Sequence, residues 1–423
     1  MKSTFQLLAL MAIAVAACSA PDRGKVAISD VQRTMEPGVA EPVMEAFAEA
    51  NNAFALDLYG RLSRRAENLV FSPHSLSTAL AMTYAGARGA TEAQMAAAMH
   101  YALPQPQLHP AFNQLDLSLK SQSAAASGEE KPLELRIANA LWIEQTLPVL
   151  SSYLDQLAAN YGAGARLADF ITAYEPARRE INAWVSEQTE RRIRDLIPEG
   201  ALDGSTRMVL VNAIYFYGDW LYQFEADDTR PVPFHRLDGT QVEAPTMHAF
   251  NSGISYVDGD GFQIVELPYQ GGTAVMDIIV PDQGEFASIE SELDGDKISV
   301  MLASLQPAAL ELGLPKFSFG ASFDLGEQLA ALGMPDAFDR DLADFSGMTG
   351  ARDLYISKVL HQAFVAVDEK GTEAAAATAV IMGPTSAPMP QAQLIVDRPF
   401  VFAIRDLASG QILFLGRVLD PTR

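Results

Sequence analysis

Thr372, Ala374, Ala376 and Thr378 recur two residues apart behind the start Glu369-Lys370-Gly371. In an extended strand that spacing puts all four on one face. All four are small, and Glu373, Ala375 and Ala377 fall between them. Such a segment can lie exposed in a loop or be buried between two strands at little steric cost. The chemistry it suggests is a change of conformational state. A competing reading is a helix or flexible linker, since Ala is the best helix former. Residues 382–390, just downstream, are rich in Pro, Met, Ser and Thr.

Motifs for other chemistries are missing. The sequence has no His-Glu-x-x-His, no Cys-x-x-Cys, no EF-hand loop and no Gly-rich phosphate loop. It also lacks the Gly-x-Ser-x-Gly elbow of serine hydrolases. His74, His100, His109, His235, His248 and His361 are scattered. A Ser-His-Asp triad assembled in space remains an alternative that spacing does not address. No metal or cofactor is expected.

These residues sit in a chain of 423, with 49% hydrophobic and 20% charged residues, a packed globular composition. The net charge of −23 argues against nucleic acid as a partner, which needs clustered Lys and Arg. The one cysteine, Cys18, excludes an intramolecular disulfide. It follows a basic start at Lys2 and an apolar run over 5–17 that ends Val15-Ala16-Ala17. This is a secretory signal layout, too short to span a bilayer.

Residues 18–42 are polar and carry Pro21, Pro37, Gly38 and Pro42, which predicts a flexible tether. Helical periodicity begins at Val43 with Phe47, Phe54, Leu58 and Leu62. Ser72-Pro73 opens a second helix. Residues 121–132 predict a surface loop. A helix is predicted over 174–197, stopped by Pro198. Residues 208–217 are almost continuously apolar, which suits a strand covered on both faces. Further strands are predicted over 254–269, 274–280, 310–319, 359–367, 393–396, 400–404 and 411–418. Helices in the first half and strands in the second give an α+β class, with one domain over 43–423.

Several separated motifs resemble the serpin family. They are Asn68-Leu-Val-Phe-Ser-Pro-His-Ser-Leu-Ser-Thr-Ala-Leu80, Val211-Asn-Ala-Ile-Tyr-Phe-Tyr-Gly-Asp-Trp220, Leu314-Pro-Lys-Phe317 and Asp344-Phe-Ser-Gly-Met348. His361 through Ala376, Asp397-Arg-Pro-Phe-Val-Phe402 and Phe414-Leu-Gly-Arg-Val-Leu-Asp-Pro421 complete the set. The resemblance covers the chain from about residue 46. It implies a large sheet A, smaller sheets B and C, and an exposed reactive loop over about 369–392.

By resemblance, the protein is a suicide-substrate inhibitor of serine proteases that supplies no catalytic residue of its own. A protease cuts the loop, and the cleaved loop then inserts into sheet A as a new strand. Residues 369–378 would be the hinge. The scissile bond would be Thr385–Ser386, with Met382–Gly383 as the runner-up. Thr385 suits elastase- or subtilisin-like proteases rather than trypsin-like ones. Ser72, Ser75, Asn212 and His361 match a polar "shutter" beneath sheet A, or are ordinary satisfied buried groups. Trp220, Lys316 and Glu369 match the "breach", where a Lys316–Glu369 ion pair is expected. No heparin-type basic cluster is evident, and a monomer is expected. The front of the chain resembles a bacterial lipoprotein, implying an acylated Cys18 and attachment to the outer membrane; simple cleavage to a soluble form is the alternative. A non-inhibitory binding lipoprotein with the same fold is the competing functional reading.

Overall fold

The computed structural model describes residues 25–125, 134–372 and 390–423. Helices fill the first half: α1 (Glu41–Leu62), α2 (Pro73–Tyr84), α3 (Gly89–Ala98), α4 (Gln105–Ala125), α5 (Ser151–Tyr161) and α6 (Phe170–Gln188). Four short ones follow: α7 (Phe286–Ser291), α8 (Gly295–Ala303), α9 (Gly326–Ala331) and α10 (Ser346–Thr349). Ser72 starts α2 by accepting a 3.2 Å hydrogen bond from the Ser75 N–H, with Pro73 at the first turn, where its missing N–H is not needed.

Seven strands form sheet A in the order β1 (Val26–Ala27), β4 (Ala165–Ala168), β3 (Glu134–Glu144), β5 (Met208–Asp219), β13 (Gly371–Thr372), β12 (Lys358–Val367) and β11 (Phe317–Asp324). The second sheet runs β14 (Ala392–Ile395), β10 (Gln306–Pro315), β7 (Gln241–Asp258), β8 (Phe262–Pro268), β9 (Ala274–Pro281), β15 (Phe400–Asp406), β16 (Ile412–Val418) and β2 (Leu69–Phe71). Strand β6 (Arg230–His235) pairs with β7 off that path.

The apolar run in β5 has a simple origin. Met208, Leu210, Ile214 and Phe216 enter the main core. Val209, Val211 and Ala213 enter a smaller core beneath α6 with Trp142, Phe170, Ile181 and Val185. Both faces of the strand are dry, so alternation disappears.

Several expectations change. Residues 25–40 are no free tether: β1 pairs with β4 at the sheet edge, and the following segment is hydrogen-bonded to α4 and α5. The predicted helix over 174–197 runs instead from Phe170 to Gln188. It stops where Glu190 and Arg191 take positive φ angles of 49° and 65°. Asn182 then holds the chain beyond it, donating to the Ile197 carbonyl and accepting from its N–H, both at 2.9 Å. The single strand read over 254–269 is the β7–β8 hairpin, because Asp258-Gly259-Asp260-Gly261 turns the chain, with Gly261 at φ +82°. The predicted loop at 121–132 begins as helix, since α4 continues to Ala125. Sheets B and C form one continuous nine-stranded sheet, because the 18-residue β7 runs through both.

Candidate functional site

The seam between β5 and β12 is the center of interest. The two strands pair in parallel from Lys358↔Val209 to Phe364↔Tyr215. Above that they diverge, and β13 lies between them, antiparallel to both: Gly371↔Asp219 and Thr372↔Gly218 on one side, Thr372↔Val367 on the other. The expected loop start is therefore corrected. Glu369, Lys370, Gly371 and Thr372 are anchored, and Gly371 and Thr372 are already sheet residues. Gly371 is required there, since a Cβ would lie 2.0 Å from the Gly218 carbonyl oxygen.

Thr372 is 1% exposed, and its hydroxyl lies 2.7 Å from that of Tyr269. Tyr269 stacks on Trp220 at 4.7 Å between ring centroids. Trp220 donates from Nε1 to the Asp368 carbonyl (3.0 Å) and from its backbone N–H to the Lys370 carbonyl (2.7 Å). The backbone N–H of Phe224 donates to the Glu369 carbonyl (2.8 Å). Lys316 Nζ reaches Glu369 Oε2 at 2.6 Å, forming the expected ion pair, and Thr229 donates to Oε1 at 2.8 Å. Burial by itself would raise the Glu369 carboxyl. Hydrogen bonds from Lys316, the backbone and Thr229, with the Lys316 charge, outweigh it and hold the carboxyl below its usual value.

Lower in the seam, Ser72, Ser75, Asn212 and His361 converge. His361 and Asn212 lie opposite each other across β12 and β5, and their side chains bond through Nδ1 and Oδ1. His361 Nε2 accepts from the Ser72 N–H at 3.1 Å, so the neutral ring carries its proton on Nδ1. Asn212 Nδ2 donates to Ser75 Oγ at 2.7 Å and to Asn139 Oδ1. Ser75 Oγ donates to Asn139 Oδ1 at 3.0 Å, and Ser72 Oγ to the Leu413 carbonyl at 2.6 Å. Burial lowers the His361 pKa to about 3; protonation would also set an N–H against the Ser72 donor.

Asn139 is a member that sequence reading missed. It lies directly opposite Asn212, so Asn139, Asn212 and His361 form one polar row across three strands. The available signal was a lone Asn inside the otherwise apolar run from Ile137 to Ile143. Glu373, Ala374, Ala375, Ala376, Ala377, Thr378, Met382, Gly383, Thr385 and Ser386 lie outside the described residues, as does Cys18. No group of three His, Cys, Asp or Glu among the described residues is placed to hold a metal ion. No helix among them is long and apolar enough to cross a membrane.

Two mixed layers, a seven-stranded sheet with a parallel central seam and a chain segment wedged into that seam define a serpin fold. The family model for serpins (serine protease inhibitors) matches residues 49–421, and the chain belongs to that family. Among its relatives is the leukocyte elastase inhibitor of Sus scrofa, 40% identical over 388 residues, covering 89% of this chain and all of that one. An uncharacterized serpin-like protein of Thermococcus kodakarensis is 39% identical over 390 residues, covering 92% of this chain and 88% of that protein. Among solved structures, uncleaved ovalbumin aligns with a TM-score of 0.80 at 27% identity over 89% of this chain and all of that one. Human thyroxine-binding globulin complexed with thyroxine aligns with a TM-score of 0.78 at 29% identity, covering 90% of this chain and all of that one.

Proposed function

We propose that the protein is a suicide-substrate inhibitor of serine proteases, with elastase- or subtilisin-like enzymes as favored targets. The observation that carries this is β13, a hinge already started between β5 and β12 and antiparallel to both. The protease serine Oγ bonds to the Thr385 carbonyl carbon. The bond to Ser386 breaks, and the serine proton leaves on the new Ser386 amine. The freed strand then continues from Thr372 down the seam. It replaces the one parallel β5–β12 ladder with two antiparallel ones, and parallel pairing is slightly the weaker per residue. About fifteen inserted residues, at roughly 1 kcal/mol net per hydrogen bond plus apolar burial, supply the driving force. An inserted strand of that length spans about 50 Å, carrying the acylated protease with it.

The leukocyte elastase inhibitors among the relatives support the target class, and the small residues at 372–378 support insertion. The likeness to thyroxine-binding globulin keeps a second reading, a binding protein of the same fold that does not inhibit. Incubation with elastase-, subtilisin-, chymotrypsin- and trypsin-like proteases followed by denaturing gels separates the two. A band at the summed mass, with a C-terminal peptide starting at Ser386, is expected. A peptide starting at Gly383 moves the bond to Met382. Cleavage with no covalent complex refutes inhibition.

Attachment through an acylated Cys18 to the outer membrane belongs to the same proposal and rests on residues 1–18 alone. The membrane-bound fraction of the expressed protein is expected to vanish in Cys18→Ser. An unchanged distribution removes the anchor.

A further inference from the structure

Residues 25–40 precede the span matched by the family model, yet they are fastened to three separate elements. Val26 and Ala27 pair with Arg166 and Ala165 of β4, and the Lys25 carbonyl accepts from the Leu167 N–H at 2.7 Å. Ser29 donates to Asp155 of α5, and the Thr34 N–H donates to the Ala159 carbonyl of α5 at 2.9 Å. Arg33 donates to Asn113 at 2.8 Å and Asp116 at 2.5 Å, both on α4. Asn113 returns a bond to the Thr34 carbonyl at 2.6 Å, and Gln114 bonds both the N–H and the carbonyl of Val39.

The surface beneath is cut to admit this segment. A Cβ on Gly164 would lie 2.4 Å from the Ala27 carbonyl oxygen and 2.8 Å from Ile28 Cγ2. A Cβ on Gly162 would press on Arg33 Cδ at 3.1 Å. Burial does little to hold the segment, since Ile28 and Met35 are 69% and 67% exposed. Polar bonds hold it instead, among them the Arg33–Asp116 ion pair. Such a tie is strong when made and releasable as a unit.

Its position matters for the seam. Admitting a strand between β5 and β12 requires a gap of about 4.8 Å on each side of the newcomer. Strands β11 and β12 contact β2, which pairs with β16, and α1 packs on β16. On the insertion reading, β5, β3, β4 and β1, the strands on the far side of the seam, are the ones that move apart from β12 and β11. Helix α4 contacts α1 on one side and β3 on the other, so it lies at the boundary across which the sheet would open.

We infer that residues 25–40 act as a clamp on sheet A, tying β4 to α4 and α5 and slowing the opening that admits the cleaved loop. This rests on the insertion reading proposed above. The chain leading to Cys18 enters this segment directly, so a pull on the tether is a pull on the clamp.

The test uses the whole mature chain and its variants Arg33→Ala, Arg33→Lys and Gly164→Val. The loop is cut with a protease that the protein does not trap. Insertion is followed by tryptophan fluorescence and by the rise in melting temperature. Arg33→Ala and Gly164→Val are expected to insert at least tenfold faster than wild type, with Arg33→Lys between. Rates within twofold of wild type, in variants whose β1 and β4 amides exchange freely, overturn the clamp. Should the variants not fold, amide exchange in wild type decides. Protection at Leu167 is expected to fall on insertion, and protection kept in the inserted form overturns the clamp. If cut wild type shows neither signal, the insertion reading falls and the clamp falls with it. If only the variants fail to accelerate, the clamp alone is lost.

Discussion

The upper end of the β5–β12 seam and its middle are built differently. At the top the strands are already apart, with Thr372 between them, and the contacts are one hydroxyl pair, the Lys316–Glu369 ion pair with Thr229 on the same carboxylate, the Trp220 indole on the Asp368 carbonyl and a few backbone bonds. In the middle the strands pair directly, and the row Asn139–Asn212–His361 bonds across three of them. If the loop inserts as proposed, the top is a start that lowers the cost of the first inserted residues, and the middle is a latch that must break before insertion proceeds. On that proposal metastability resides in the latch and direction in the start.

Thr372→Arg is expected to have the largest effect. An unpaired charge would enter a site that is 1% exposed, so the start is lost. Proteases are expected to cleave this variant with no covalent complex on a denaturing gel; full complex formation would show that the top does not steer insertion. Asn212→Leu removes the hub of the latch and strands partners on Ser75, Asn139 and His361. A native-state loss of about 2–3 kcal/mol is expected in urea melts, with faster polymerization on warming. A loss below that of the top-end variants would reverse the comparison.

Acid separates the two regions. The His361 pKa of about 3 lies below its ordinary 6.5, so in that window the unfolded chain binds a proton that the native latch refuses. Its contribution is complete above about pH 6.5 and declines as pH falls toward 3. Buried His74 and His109, each lowered to about 4, act with the same sign. Glu369 is lowered from 4.5, so its contribution is present above that pH and lost only below it. Urea melts from pH 7 to 4 are expected to show stability falling from 6.5 downward, before the top-end carboxylate titrates. A flat profile down to 4.5 would contradict this.

Tyr269→Phe keeps the stack on Trp220 and removes one hydroxyl bond, so a loss of about 1 kcal/mol is expected, with amide exchange rising at Thr372 first. Lys316→Met should be the mildest. Its side chain is 37% exposed, and the pair contributes less than about 1 kcal/mol in urea melts at moderate salt.

Sequence was a good guide where pattern reports burial. The dry run in β5, the start of α2 at Ser72-Pro73 and the α+β order were all legible from periodicity and turn chemistry. The Lys316–Glu369 contact was named only through family resemblance, because 53 positions separate the two residues. Asn139 escaped because register, which composition does not encode, sets it opposite Asn212. The anchored segment 25–40 escaped for a different reason: Pro, Gly and polar residues usually mark a loose chain, and here their polar groups are spent on α4 and α5. The early end of α6 depends on Asn182 reaching Ile197, fifteen positions away, which no local propensity records.

Strands β15 and β16 lie inside the second sheet, β15 flanked by β9 and β16, and β16 by β15 and β2. Every residue of β16 is buried. A cut in the loop therefore yields a nicked two-chain molecule whose short C-terminal piece stays interleaved with the rest. Under native conditions a size-exclusion column would register no change, and only denaturant would reveal that the backbone had been severed.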